Sequence, residues 1–170
     1  PDMLLANAWL SELSRSDRQL VTEIVDRAAD LVAGMADQPE RATQLSGEID
    51  SLRSMAACDV GTEPERAIAL AHRALANTPR SWYLVRQVAW LRQALAHQMT
   101  GRLSRAYATL AEAALEDVAS GGAIRARAAG GRCFVEWIAG DLQAIPQGAA
   151  HLCAVAETHK RIESAGWGHY

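Results

Sequence analysis

The chain has 170 residues, of which 49% are hydrophobic and 22% are charged, and its formal net charge is −3. This length suits one domain with a sizeable core, and the mildly acidic balance excludes a broad basic field for nucleic acid. No apolar run approaches the ~18 residues of a membrane span, and the three cysteines are few and widely spaced. We therefore expect a cytoplasmic protein with reduced, buried thiols and no membrane contact.

Strong helix formers dominate the sequence, whereas strand formers never alternate over more than a few residues. This pattern predicts an all-α fold. Eight helices are predicted at residues 3–14, 17–34, 40–58, 63–77, 81–99, 102–119, 122–139 and 141–161, and a ninth begins near Glu163. The turns are predicted near Ser14–Ser16, Asp59–Thr62, Thr100–Gly101 and Ala139–Gly140.

Local signals mark several of these helix ends. Gly101 and Gly140 allow a left-handed turn at the end of a helix. Thr62 with Glu65 resembles a capping box, and Asp141 is expected to cap the start of the last full helix. The helices are therefore expected to pair across short turns.

An internal repeat of about 39 residues relates the pairs to one another. Gly101 aligns with Gly140 and Leu103 with Leu142, and an Arg-Ala step at Arg66 recurs 39 residues later. A single helix pair cannot bury its apolar face, so neighbouring pairs must stack to form a core. The sequence thus predicts four stacked hairpins, each with an inner and an outer helix.

The stretch "WYLVRQVAWLRQALAHQMTGRLSRAYATLAEAAL" resembles a tetratricopeptide-type hairpin. The residues on the signature spacing are Trp90, Ala94, Gly101, Ala106, Leu110 and Ala113. More specifically, "ALAHQMTGRL", "AGDLQAI" and "AGWGHY" resemble the repeat region of MalT-like, LuxR-family ATP-dependent transcriptional regulators. The resemblance implies a right-handed superhelix of about four hairpins. Residues 1–170 would then form one helical-repeat domain, excised from a longer multidomain regulator.

The resemblance also implies a function. Such regulators carry an N-terminal ATPase and a C-terminal helix-turn-helix, and this chain has neither a G-x-x-x-x-G-K-[ST] motif nor a basic recognition helix. What remains is the sensor, which binds a small-molecule inducer or a regulatory protein without touching DNA. Self-association of the full-length protein is compatible with this role. The alternative is a protein-interaction scaffold that binds a peptide or a partner helix.

No motif indicates an enzyme, a cofactor or a metal site. G-x-S-x-G, H-E-x-x-H and C-x-x-C are all missing from the sequence. His151, Cys153 and His159 come closest to a metal cluster, but residues two apart on a helix point to different sides. The acidic pairs Glu63–Glu65 and Glu116–Asp117 are interpreted as solvated helix ends.

A polar stripe on the third inner helix has two interpretations. Arg86, Trp90, Gln93 and His97 share one face of that helix. If the face packs against another helix, the amide and the imidazole must bond to each other or to a neighbour. If it lines a groove, Gln93 and His97 are candidate ligand-binding residues.

The face of this helix that the tetratricopeptide mapping assigns to the groove presents Gln98. On the next inner helix the same mapping assigns Arg127, Phe134 and Trp137 to the groove. An indole and a phenyl ring three residues apart share a helix face, and Arg and Gln side chains can orient a ligand stacked on them. The ordinary alternative for the tryptophans of this chain is packing between repeats.

Overall fold

The computed structural model describes residues 1–13, 18–116 and 122–160, and within these ranges the chain forms eight helices and no strand. The helices are α1 (Asp2–Leu13), α2 (Arg18–Ala33), α3 (Pro39–Val60), α4 (Pro64–Asn77), α5 (Tyr83–Met99), α6 (Leu103–Leu115), α7 (Ala123–Ile138) and α8 (Ile145–Thr158). The all-α prediction is confirmed. The predicted turn at Ser14–Ser16 and the ninth helix from Glu163 lie outside the described residues. None of the described helices is long and apolar enough to cross a membrane.

Three glycines follow the ends of α3, α5 and α7 in the same way. Gly61, Gly101 and Gly140 have φ values of 72°, 74° and 76°, in the left-handed region that glycine adopts without strain. The N–H group of each donates to the carbonyl three residues earlier, over 2.9 to 3.1 Å. The left-handed turns predicted at Gly101 and Gly140 are confirmed.

The capping box predicted at the start of α4 is wrong. Thr62 and Glu65 form no capping box, because Glu63 occupies the cap position and makes no side-chain cap hydrogen bond. Pro64 is the first helical residue, where its missing N–H group has no intrahelical partner to lose. Proline also disfavours helical geometry at the preceding residue, and this fixes the boundary at Glu63.

The predicted start of α8 is also wrong. The helix begins at Ile145 and not at residue 141, so that Pro146 falls in its first turn. An earlier start would place Pro146 in the helix interior, where it removes a hydrogen bond and clashes with the preceding turn. Asp141 instead stabilises the turn before α8, since its Oδ1 accepts a hydrogen bond from the Ala144 N–H at 3.3 Å.

The helices contact one another in a regular order. The four pairs α1–α2, α3–α4, α5–α6 and α7–α8 are in contact, and each odd-numbered helix also contacts the next odd-numbered helix. The even-numbered helices α2, α4 and α6 contact the odd-numbered helix that follows them. Among the described helices no contact joins elements more than two apart in the chain. The core is therefore built between neighbouring pairs.

Two large clusters of buried side chains make up most of this core. The first lies around α1 to α3 and contains large side chains such as Leu5, Trp9 and Leu45. The second lies around α3 to α7 and is dominated by alanine. The helices of the second cluster pack closely at Gly131, because a Cβ atom there would lie 2.7 Å from Leu91 Cδ1. Small residues thus allow α7 to lie close against α5.

Candidate functional site

The exposed face of α7 carries the aromatic residues that the sequence placed in a groove. Phe134 is 42% exposed and Trp137 is 61% exposed, and their ring centroids lie 5.8 Å apart with the planes tilted by 58°. Arg127 and Ile138 are also exposed and share this face by helical spacing. We call Arg127, Phe134, Trp137 and Ile138 the aromatic surface. It is a face of apolar and cationic groups open to solvent.

The buried side of α7, which adjoins the aromatic surface, explains why that surface points outward. Ile124, Ala128, Gly131 and Val135 are buried against α5 and α6. These residues recur at three- and four-residue spacing, so they fix the rotation of the helix about its axis. Trp137 is consequently not sealed between neighbouring helix pairs.

Gln98 lies on the preceding inner helix, at the repeat position that Trp137 occupies 39 residues later. Its side chain is half-buried. Because α5 and α7 are in contact, the two positions belong to successive inner helices. Among the described residues no hydrogen bond or ring contact joins Gln98 to the aromatic pair, so their joint role is still a prediction.

The first half of the α5 polar stripe is a closed hydrogen-bond network. Arg86 is buried and donates through Nη1 to the carbonyls of Leu75 and Thr78, both at 2.7 Å. Its guanidinium also forms an ion pair with Glu116, in which Nε lies 3.1 Å from Oε2. Trp90 Nε1 donates to the same Oε2 at 2.6 Å. For Arg86 and Trp90, the packing interpretation is therefore correct.

Glu116 corrects one prediction, because this carboxylate is not a solvated helix end. Its side chain is only 10% exposed. Burial raises the pKa of Glu116, but hydrogen bonds from Arg86 and Trp90 and the Arg86 charge outweigh burial and leave the pKa lowered. Glu116 follows the end of α6, which lies beside the start of α5. There its carboxylate is the counterion for the buried guanidinium of Arg86. Asp117 lies outside the described residues.

The second half of the stripe is left without such partners. Gln93 Oε1 and His97 Nδ1 are both buried, and neither atom has a hydrogen-bond partner among the described residues. Burial lowers the pKa of His97, as do the positive charges of Arg102 and Arg105, while Glu65 opposes them. Both side chains are half-buried, so neither the packing nor the ligand-binding interpretation of Gln93 and His97 is decided, and their role stays a prediction.

Gln93 and His97 also lie apart from the aromatic surface. Helical spacing places them on the opposite side of α5 from Leu91, which packs against Gly131 of α7. The charges nearest to His97 belong to α4 and α6. Of the six predicted binding residues, Arg127, Phe134 and Trp137 therefore lie on the exposed face of α7, and Gln93 and His97 lie between α5 and its neighbours α4 and α6. Gln98 lies on the Leu91 side of α5, apart from both groups.

A polar pair on α7 was missed by the sequence analysis. Arg132 and Glu136 occupy the repeat positions of Gln93 and His97, and Arg132 Nε donates to Glu136 Oε1 at 2.8 Å. Glu136 is 1% exposed, and its Oε2 has no hydrogen-bond partner among the described residues. The 39-residue offset from Gln93 and His97 was the available signal. Polar groups thus recur at this interface in consecutive repeats.

A second region missed by the sequence analysis is an open cleft of about 340 Å³ between α3 and the start of α5. The Arg41 guanidinium lies 5.2 Å from the ring centre of Trp82 at its wall. Glu48 also lines the cleft and accepts a hydrogen bond from Trp9 Nε1 at 2.8 Å. Burial raises the pKa of Glu48, although the Trp9 hydrogen bond and the Arg41 charge oppose it.

The thiols and imidazoles do not form a reactive or metal-binding cluster in the described part of the chain. No three His, Cys, Asp or Glu side chains there are placed to hold a metal ion. Cys58 is buried as predicted, but Cys133 and Cys153 are only half-buried, which corrects the expectation of three buried thiols. Burial and the Glu136 charge raise the pKa of Cys133, which disfavours a thiolate there.

Comparisons with known proteins add no further constraint. The sequence matches no protein-family model, and searches of curated proteins and of solved structures gave no significant match. The resemblance to the MalT-like repeat region stays a prediction that depends on the sequence motifs.

Proposed function

We propose that this chain is the helical-repeat sensor domain of a MalT-like, LuxR-family transcriptional activator. In this role it binds an inducer or a regulatory partner and relays the occupancy to an ATPase and a DNA-binding domain elsewhere in the protein. The sequence motifs favour this family. Each described helix contacts only helices one or two places away in the chain, and this pattern supports a repeat architecture. In such an architecture, binding surfaces extend across successive units.

The finer architecture belongs to the same proposal. We infer a right-handed superhelix whose inner helices are α1, α3, α5 and α7. Each inner helix contacts the next inner helix, and the even-numbered helices contact only their neighbours in the chain. This nearest-neighbour pattern is the one expected of stacked hairpins, and the glycine turns at Gly61, Gly101 and Gly140 recur at matching places.

The single observation that carries the binding role is the exposure of Phe134 and Trp137. Large aromatic side chains contribute most to stability when they are buried, yet Trp137 is 61% exposed on a helix whose other face forms core. An indole offers stacking area at low entropic cost, and Arg127, ten residues earlier on α7, adds a positive charge to the same helix. This combination suits an anionic or planar group on the ligand.

The test removes the indole and compares recognition with folding. In the full-length protein, Trp137→Ala should abolish induction of a reporter gene, while the melting temperature of the isolated chain changes by only a few degrees. Tyr83→Ala is the matched control, because Tyr83 is a similarly exposed aromatic residue at the start of α5. Normal induction by Trp137→Ala, or loss of induction by both variants, would argue against the proposal.

The alternative function, a scaffold for a peptide or partner helix, is favoured by one observation. The aromatic surface is an open helix face continued by the exposed Leu142, and a macromolecule covers such a face better than a small inducer does. The two functions separate in a thermal-shift experiment. Stabilisation by small sugars or other small molecules, lost in Trp137→Ala, favours the sensor with an inducer. Stabilisation by amphipathic helical peptides alone favours the scaffold.

A further inference from the structure

The open cleft between α3 and the start of α5, which we call the α3–α5 cleft, has two opposite charges in its walls. Arg41 and Glu48 both line it, and they lie seven residues apart on one face of α3, about 10 Å along the helix axis. In the described part of the chain, Arg41 forms its ion pair with Asp2 and none with Glu48. The cleft therefore contains a positive and a negative group that do not neutralise each other directly.

Helix α1 anchors each of these two groups separately. Asp2 forms an ion pair with Arg41, and Trp9 Nε1 donates to Glu48 Oε1 at 2.8 Å. Each anchor lies 39 residues before its partner, so α1 runs beside α3 and holds the two groups apart. The Arg41 guanidinium also lies 5.2 Å from the ring centre of Trp82. A ligand thus meets charges whose positions are already set, which lowers the entropic cost of binding.

Both charged groups have bonding capacity beyond these anchors. A guanidinium carries several N–H donors, and the hydrogen bond of Arg41 to Asp2 uses Nη2 alone. Among the described residues, Glu48 accepts one hydrogen bond, at Oε1, which leaves Oε2 for a further donor. The Glu48 side chain is half-buried, and burial raises its pKa. A positively charged donor from a ligand would offset the cost of burying this carboxylate.

The size and the remaining walls of the cleft suit a small, partly apolar molecule. Trp82, Tyr83 and Leu84 also line it, and their rings and methyl groups offer apolar contact area. Its volume of about 340 Å³ is near the lower end of the range for small-ligand sites, about 300–1,000 Å³. The cleft therefore combines apolar contact area with one group of each charge.

We propose that the α3–α5 cleft binds a zwitterion of dipeptide size, with the ligand carboxylate on Arg41 and the ligand ammonium group on Glu48. A ligand with a single charge is attracted by one of these groups and repelled by the other, whereas a zwitterion satisfies both. A second residue lengthens the ligand by about 3.5 Å, towards the two-turn spacing of the groups on α3. The site is separate from the aromatic surface, because α3 and α7 are not in contact, and the proposal does not depend on the sensor function.

Isothermal titration calorimetry of the 170-residue chain with the dipeptide Leu-Leu tests the proposal. Leu-Leu should bind, and its N-acetylated and C-amidated forms, which each lack one charge, should bind about tenfold or more weakly. Free leucine, whose charges are closer together, should also bind more weakly than Leu-Leu. The absence of binding by Leu-Leu at millimolar concentration would overturn the proposal. So would blocked forms or free leucine that bind as well as Leu-Leu does.

Two variants assign each ligand charge to its partner. Glu48→Gln keeps an oxygen that can accept from Trp9, and it should no longer distinguish Leu-Leu from the acetylated form. Arg41→Gln should no longer distinguish Leu-Leu from the amide. Arg53→Gln is the matched control, because Arg53 forms a similarly exposed ion pair with Asp26 outside the cleft, and it should bind like the wild type. Wild-type discrimination by the first two variants, or its loss in Arg53→Gln, would contradict the proposal.

Discussion

The inner helices α5 and α7 use a tryptophan in opposite ways. On α5, Trp90 is half-buried and donates a hydrogen bond to Glu116, which also pairs with the buried Arg86. On α7, Trp137 is exposed beside Phe134. The first indole completes a buried polar network, and its loss would leave a charged group with fewer partners. The second is not enclosed by the described core, and tryptophan is enriched at protein interfaces.

The comparison extends to the rest of the α5 stripe. Arg86 makes five hydrogen bonds to three residues, whereas Gln93 Oε1 and His97 Nδ1 make none to the described residues. One helix face therefore contains both satisfied and unsatisfied buried polar atoms. The satisfied half is expected to stabilise the fold, and the unsatisfied half is expected to lower its stability.

The largest expected effect is the removal of the Glu116 carboxylate. Glu116→Ala leaves the buried Arg86 guanidinium without its counterion, and this should lower the free energy of unfolding by about 3–5 kcal/mol. Urea denaturation measures the loss. Glu63→Ala is the control, because Glu63 forms only an exposed ion pair with Arg66 and should cost less than about 1 kcal/mol. Equal losses for the two variants would contradict a structural role for the Glu116 network.

A smaller effect of opposite sign is expected at Gln93. Gln93→Met keeps the length of the side chain and removes a buried carbonyl oxygen that has no partner among the described residues. An unsatisfied buried polar atom costs about 1–3 kcal/mol, so the variant should be more stable by up to that amount. Chemical denaturation with an unchanged m-value provides the measurement. A clear loss of stability would show that the amide has a partner in solution, such as an ordered water.

The smallest expected effect is a pH dependence that arises from His97. Its pKa is lowered in the folded state, so the unfolded chain binds the proton more readily. The folded state therefore has its full stability above the ordinary histidine pKa of about 6.5 and loses part of it as the pH falls below that value. His97→Leu should flatten this decline between neutral and mildly acidic pH. If the wild type and the variant lose stability in parallel over that range, the pKa of His97 is not lowered by folding.

Local patterns predicted the helices well and the contacts between distant residues poorly. Apolar periodicity and the glycines at 101 and 140 are short-range signals, and they placed most helix ends close to their observed positions. The burial of Glu116 depends on Arg86, thirty residues earlier, and no local pattern reports such a pairing. The late start of α8 could have been predicted from Pro146, because proline is tolerated in the first turn of a helix and disruptive further in.

The candidate site divides in the same way. Helical spacing was enough to place Phe134 and Trp137 on one face, and the structure brings their rings to 5.8 Å. Whether that face is buried or exposed depends on which other helices cover it, and this is a property of the packing rather than of α7 alone. Gln93 and His97 share a stripe with Arg86, yet neither Gln93 Oε1 nor His97 Nδ1 has a hydrogen-bond partner among the described residues.

The most direct test of the division between a structural and a recognition tryptophan is to truncate both in matched variants. Trp90→Ala should lose about 3 kcal/mol or more, because it removes core contacts and the hydrogen bond to Glu116. Trp137→Ala should lose less than about 1.5 kcal/mol, the scale of one aromatic pair contact. Equilibrium unfolding of the two variants under identical conditions gives both values. Losses of the same size, or a larger loss for Trp137→Ala, would contradict the account.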